Sequence, residues 1–204
     1  MRYLAAVTCT RCAIDLSELH ERLAEHRPVD RQQASCLAEV RALLSTPRPW
    51  DRGQFEPGHL TVSAFVLDPD AARLLLIAHP SLGLWLQPGG HLDPEDRSIE
   101  AAVRREVAEE TGLTHLDLLP GYPWLLDLDV HDIPTHPKKG EPAHQHFDLR
   151  LGFRARSHRI TAGSEVTGAR WVAFSALEQI HTDASVRRAA KLLSTLHASE
   201  VPRR

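Results

Sequence analysis

The 204 residues contain no run of about 18 apolar residues, so no segment is long enough to cross a bilayer as a helix. Cysteine is scarce. Three residues, an odd number, rule out a disulfide framework and fit reduced thiols in a cytoplasmic protein. Cys9 and Cys12 form a C-x-x-C pair, but no second pair accompanies them, and free thiols are expected there. An excess of either charge is also lacking, with 24 Lys and Arg against 27 Asp and Glu. A net charge of -3 and a pI near 6.5 give no general attraction to nucleic acid or to an anionic membrane. The first residues, MRYLAAVTCTRCAID, hold too short an apolar stretch and no clear small-residue cleavage site, so a signal peptide is not expected. Internal repeats and low-complexity tracts are missing. What remains, 42% hydrophobic and 25% charged, fits one globular domain with some extension.

Periodicity divides the chain. Ile14, Leu16, Leu19, Leu23 and Ala24 are spaced for a helix, and Asp30 with Gln33 three residues later forms a capping-box start for a second one, striped by Leu37, Val40, Leu43 and Leu44. A Pro- and Gly-containing connection follows. Residues 1–58 thus read as an N-terminal helical extension and linker, and 59–204 as the main domain. Within it, strands are expected over 61–67 (apolar on both faces, hence central), 73–79, 85–87, 116–119, 125–130, 147–155 and 169–173. A helix over 184–196, with Val186, Ala190, Leu193 and Leu196 inward, closes the chain. The fold class is α/β, a mixed sheet between helices.

The densest chemistry lies in GGHLDPEDRSIEAAVRREVAEETGL, residues 89–113. Glu106, Glu109 and Glu110 recur at i, i+3 and i+4, which stacks three carboxylates on one helical face. Anions so placed repel one another and invite a cation, and an all-oxygen set favours Mg²⁺ or Mn²⁺ over zinc. Ser98 is suited to cap the helix, Ile99, Val103 and Val107 give it a buried stripe, and Gly112 suits its left-handed end. Arg105 stands four residues before Glu109, close enough to orient it. Gly89-Gly90 allows close backbone approach, and the Gly90 carbonyl could join a metal shell.

This segment resembles the Nudix box, Gly-x5-Glu-x7-Arg-Glu-U-x-Glu-Glu-x-Gly-U with U a bulky aliphatic residue. Arg105, Glu106, Val107, Glu109, Glu110, Gly112 and Leu113 match it position by position. Between Gly90 and Arg105 stand fourteen residues where the pattern has thirteen, so the loop carries one insertion and either Asp96 or Asp93 takes the place of its acid. The resemblance implies a Nudix-type α/β/α sandwich over roughly residues 59–180. It also implies a hydrolase that uses Mg²⁺ or Mn²⁺ to cleave a diphosphate linkage in a small nucleotide or nucleoside diphosphate derivative. Glu106, Glu109, Glu110 and Gly90 would then hold metal, with Glu109 as general base and Arg105 and Glu106 sharing the catalytic set. A nucleotide-binding sensor without hydrolysis is the alternative. An isopentenyl diphosphate isomerase would need a site cysteine, and none follows Cys36.

Substrate contacts are expected from HDIPTHPKKGEPAHQH, residues 131–146, where Lys138 and Lys139 could meet phosphate and His144 or His146 could approach the substrate. His144 and His146 share one strand face, which is also how zinc sites begin, but neither a cysteine nor a third spaced ligand is near in sequence. His91 is placed to line the site. Trp85 is a candidate for stacking on a base, as is Trp171, although both are flanked as core residues. A homodimer is admitted; nucleic-acid and membrane partners are not expected.

Overall fold

The computed structural model describes residues 16–121 and 123–200, with side chains described as far as residue 194. Cys9, Cys12 and Ile14 lie outside the described residues, as does the Leu196 side chain. Helices α1 (Leu16–Glu25) and α2 (Arg31–Leu43) come first. Asp30 caps α2 by accepting from the Gln33 amide at 2.7 Å. Gln33 does not return a bond to Asp30 in the reciprocal manner of a capping box. Its side chain is fully buried, accepts from the Val29 amide at 3.0 Å and donates across to Asp127 Oδ1 at 3.1 Å and to the Leu126 carbonyl at 3.3 Å. A buried amide needs partners on both its ends, and these are spread over two layers.

The sheet contains β1 (Gly58–Leu67), β2 (Arg73–Ala78), β3 (Trp85–Leu86), β4 (Gly89–His91), β5 (Leu116–Leu118), β6 (Asp127–Ile133), β7 (His144–Ala155) and β8 (Ala169–Ala173). Its spine is the parallel pair β1–β7, in register from Gly58↔Gln145 to Leu67↔Arg154. Both spine strands change outer partners along their length. β1 pairs with β4 and then β2, while β7 pairs with β6 and then β5, all antiparallel. Helix α3 (Ile99–Thr111) packs on β1 and β4, and α4 (Ala184–Glu200) lies on the other face. This is the α/β layering expected of the chain, with both N-terminal helices present.

Alternation along β1 explains the layers. Leu60, Val62, Ala64 and Val66 join one apolar cluster with Ile99, Val103 and Val107 of α3 and with Leu19, Leu23, Leu37 and Val40 of the first two helices. Phe65 and Leu67 face the opposite way, into a cluster with Val186, Ala190 and Leu193 of α4. The expectation that β1 is apolar on both faces therefore holds only for its second half. In its first half His59, Thr61 and Ser63 are buried and face polar neighbours. Gly89-Gly90 belongs to strand β4, paired Ser63↔Gly89 and Val62↔Gly90. No described helix is long and apolar enough to cross a membrane.

Candidate active site

Helix α3 starts where Ser98 Oγ accepts from the Ala101 amide at 3.1 Å and stops at Gly112, whose φ of 71° is left-handed. Burial of Ile99, Val103 and Val107 fixes its rotation, so Glu106 and Glu110 turn toward β4 while Glu109 stays half exposed, its side chain at 54%. Glycine is required on the facing strand. A Cβ on Gly90 would lie 2.7 Å from the Glu106 carboxylate, and one on Gly89 would lie 2.4 Å from the Val62 carbonyl oxygen. Glu110 Oε2 accepts from the Gly89 amide at 2.9 Å.

Arg105 knits the loop to this helix. Its Nε and Nη2 grip Asp96 at 3.1 and 2.9 Å, Nη2 also donates to the His91 carbonyl at 2.9 Å, and Nη1 reaches Glu106 at 2.8 Å and Glu109 at 3.1 Å. The bidentate bond to Asp96, followed by Glu106, holds the guanidinium well above its ordinary pKa. Of the two candidate loop acids, Asp96 is the one that faces Arg105; Asp93 accepts from the Glu95 amide within its own turn. With Arg105 spread between Glu106 and Glu109, the oxygens of Glu106, Glu109 and Glu110 are not among the groups of three that converge within 4.8 Å among the described residues.

Burial raises the carboxyl of Glu106, and it carries that of Glu110 up from 4.5 to about 7, with Glu106, Glu165 and Glu109 adding repulsion. An acid raised on folding is stabilising in its neutral form below its unfolded pKa, and that contribution is lost as pH climbs through the folded value. Between 4.5 and about 7, ionising Glu110 therefore costs the metal-free protein about 3 kcal/mol. Glu110→Gln keeps an acceptor for the Gly89 amide. In chelator, its melts are expected to match those of the parent at pH 4.5 and to exceed them at pH 8; equal melts at pH 8 contradict this reading.

Glu165 was not singled out from the sequence. It sits on a loop tied to the end of α3 by Thr161 N→Thr111 O and Gly163 N→Glu110 O, both 2.9 Å, and a Cβ on Gly163 would collide with the Glu109 carbonyl at 1.9 Å. The loop brings a fourth acid close enough to raise both Glu106 and Glu110. Only the glycine two residues before it hints at so close an approach.

The polar half of β1 belongs to a ladder of side chains on the sheet face away from α3. Its rows follow the register: His59–His146–His131, then His91–Thr61–Asp148–Asp129, then Ser63–Arg150–Asp127. Arg150 is buried to 1% and donates to Asp148 at 2.8 Å, Asp129 at 3.0 Å and Asp127 at 3.4 Å. Burial alone would lower its pKa, but Asp148, Asp129 and Asp127 together hold it above its ordinary value. Arg188 of α4 also binds Asp127. Neither arginine was anticipated.

His91, His144 and His146 are brought together here, joined by His59, which the sequence gave no reason to add. Burial, reinforced by the neighbouring rings, lowers His91 to about 4 and His146 to about 2, so both imidazoles are neutral at physiological pH. Lys138 and Lys139 are exposed on a short 3₁₀ turn, Pro137–Lys139, and the charge of Lys139 is felt at His91. Trp85 stands apart on β3, with the Arg170 guanidinium 3.9 Å from its ring centroid. Trp171 is packed against the core and donates from Nε1 to the His158 carbonyl at 2.8 Å.

Comparison with known proteins assigns the class. The family model described as NUDIX domain matches residues 57–193, and the chain belongs to that family. Over 115 residues it is 33% identical to the "Probable DHNTP pyrophosphohydrolase" of Lactococcus lactis subsp. cremoris (strain MG1363). That match covers 56% of this chain and 65% of the relative, so slightly less than two thirds of the relative's length is represented. A NUDIX-family hydrolase from Clostridium perfringens has a similar crystal structure, with a TM-score of 0.51 at 23% identity over 68% of this chain and 97% of that one. The binary complex of a C. elegans Ap4A hydrolase gives 0.51 at 14% identity over 69% and 98%. Both structural likenesses speak for the fold alone.

Proposed function

We propose that the chain is a divalent-metal-dependent hydrolase that breaks a diphosphate linkage in a nucleotide or nucleoside diphosphate derivative. The observation that carries this is the linked set Asp96–Arg105–Glu106–Glu109, with Glu110 fastened to the Gly89 amide across a Gly-Gly strand that leaves no room for side chains. The residues fit a hard cation. Every side-chain donor is oxygen, Glu106 and Glu110 are buried acids pushed toward neutrality, and a bound positive charge would favour their ionised forms. Glu106, Glu109, Glu110 and the Gly90 carbonyl are the proposed holders of Mg²⁺ or Mn²⁺. Such an ion, when bound, neutralises phosphate oxygens and acidifies water.

The chain's own residues supply the rest. Glu109, the exposed member of the trio, takes the proton from the attacking water, an effect worth about 10²–10⁴-fold. The water oxygen bonds to one phosphorus, the bridging P–O bond breaks, and a phosphate-bearing group leaves. Arg105 keeps Glu109 aimed while Asp96 keeps Arg105 in place. Lys138 and Lys139 are the proposed phosphate contacts, with His91, His144 and His146 lining the polar face across the sheet from the carboxylates. Trp85, covered by Arg170 and packed against the apolar cluster beneath α4, has the least ring surface to offer a base. The Lactococcus relative's name, a pyrophosphohydrolase, supports the same reaction class. Turnover is expected in Mg²⁺ and its loss in excess chelator; activity that persists in chelator defeats the metal mechanism.

A further inference from the structure

The histidines on the polar face come from separate strands yet form one tight group. Ring centroids lie 5.1 Å apart for His59–His91, 4.8 Å for His59–His146 and 5.1 Å for His91–His146. One ring nitrogen from each of these three lies within 4.8 Å of the other two. His144 adds a fourth ring, stacked on His59 with its Nε2 3.3 Å from His146 Nε2.

Hydrogen-bond partners fix where the protons are. His59 Nδ1 is 3.0 Å from the Gln54 carbonyl, and His144 Nδ1 is 2.8 Å from the Pro142 carbonyl. A carbonyl only accepts, so in each ring Nδ1 carries the hydrogen and a neutral ring keeps its lone pair on Nε2. His131 is arranged the same way, its Nδ1 3.1 Å from Asp129 Oδ2. An imidazole whose far nitrogen donates to a carbonyl or carboxylate is the arrangement that orients a metal-binding histidine. His59 makes the case sharper. The residue is 1% exposed, and its Nε2 is buried with no hydrogen-bond partner among the described residues. No donor among the described residues satisfies that lone pair.

We propose that His59, His91 and His146 form a site for a borderline divalent transition metal, zinc first among them, separate from the carboxylate site. Three neutral imidazoles are the donor set that such an ion prefers, whereas Mg²⁺ and Mn²⁺ are held better by oxygen. Zn–N distances of about 2.0–2.1 Å require the nitrogens to close to about 3.4 Å of one another, a modest ring rotation from the present spacing. His144 stands beside His146 for the fourth position, which an oxygen of a bound anion could equally take. The two metal sites would occupy opposite faces of the sheet, since His91 shares the face of Thr61 while its neighbour Gly90 faces Glu106. This inference is independent of the hydrolytic reading, because it rests on nitrogen donors that the phosphoanhydride chemistry does not use.

The test is cobalt spectroscopy on the full-length protein, stripped of metal and then kept in excess Mg²⁺ to saturate oxygen sites. One equivalent of Co²⁺ is expected to give the visible bands of a nitrogen-ligated, near-tetrahedral ion, and Zn²⁺ to abolish them. His91→Ala and His146→Ala are expected to weaken Co²⁺ binding by about a hundredfold. Glu106→Gln and Glu110→Gln are expected to leave it within about twofold. Melting curves in chelator verify that each variant is folded; both rings are only partly buried, so neither truncation opens a sealed core. Absence of the bands in the parent overturns the site. So does their survival in both histidine variants, or their loss in the glutamate variants.

Discussion

Arg150→Met is expected to remove about 3–5 kcal/mol of stability, because it strips the central cation from three buried carboxylates. Asp127, Asp129 and Asp148 are 0%, 6% and 4% exposed, and Arg188, which binds only Asp127 among them, cannot replace the lost bonds to the other two. Methionine fills much of the space but brings no donor, so the acids keep their desolvation cost without its compensation. Against a total stability of about 5–15 kcal/mol, such a loss lowers the melting temperature by roughly 10 °C or more. Its pH dependence has a definite sign. Asp129 is held below its ordinary 3.8 although burial opposes this, with His131 and Arg150 as the stabilising partners. A depressed acid contributes stability above its unfolded pKa and loses it as pH falls through the folded value. The gap between parent and variant should therefore be widest at neutral pH and narrow below about pH 4. Urea melts at both pH values check this; a variant within 1 kcal/mol of the parent at pH 7 would show the ladder to be dispensable.

Glu109→Gln is expected to cut turnover by at least about a hundredfold while leaving the melting temperature unchanged. The two halves of this expectation have different origins. Glu109 is half exposed and its contact with Arg105 is an ordinary surface pair, so the substitution costs the fold little. Loss of a carboxylate that accepts a proton and helps hold a cation falls instead on the chemical step. Turnover near the parent's value would remove Glu109 from the catalytic set, and Glu165, the other acid beside Glu106 and Glu110, would be examined next.

Helix α3 was legible because its signals are local. Ser98, the Ile99–Val103–Val107 stripe and Gly112 lie within fifteen residues of one another, and each performs in the structure the role its position suggests. The resemblance carried by Arg105, Glu106, Glu109 and Glu110 is equally local, and it led to the family and the layered fold. The choice between Asp96 and Asp93 was not readable, because an insertion changes the count and only the loop's path shows which acid meets Arg105. Non-local pairing hid the rest. His59 stands 87 residues before His146 in the chain and meets it through parallel strand pairing, which no short motif encodes. Arg150 lies in an expected strand where Asp148 shares its face, but its partners Asp127 and Asp129 are visible only once β6 and β7 are in register. Gln33 was read as a helix-start residue, while its side chain in fact bridges to Asp127 on the sheet.

The central claim, metal-dependent cleavage of a diphosphate linkage, is tested most directly by product analysis after incubation of the purified protein with Mg²⁺ and a nucleotide panel. The panel would hold ADP-ribose, dinucleoside polyphosphates, NADH, nucleotide sugars, and normal, oxidised and pterin triphosphates. The predicted result is one preferred compound converted to two products split at a phosphoanhydride bond, with conversion stopped by chelator and by Glu109→Gln. A folded protein that leaves every compound intact in Mg²⁺ and in Mn²⁺ would contradict the claim.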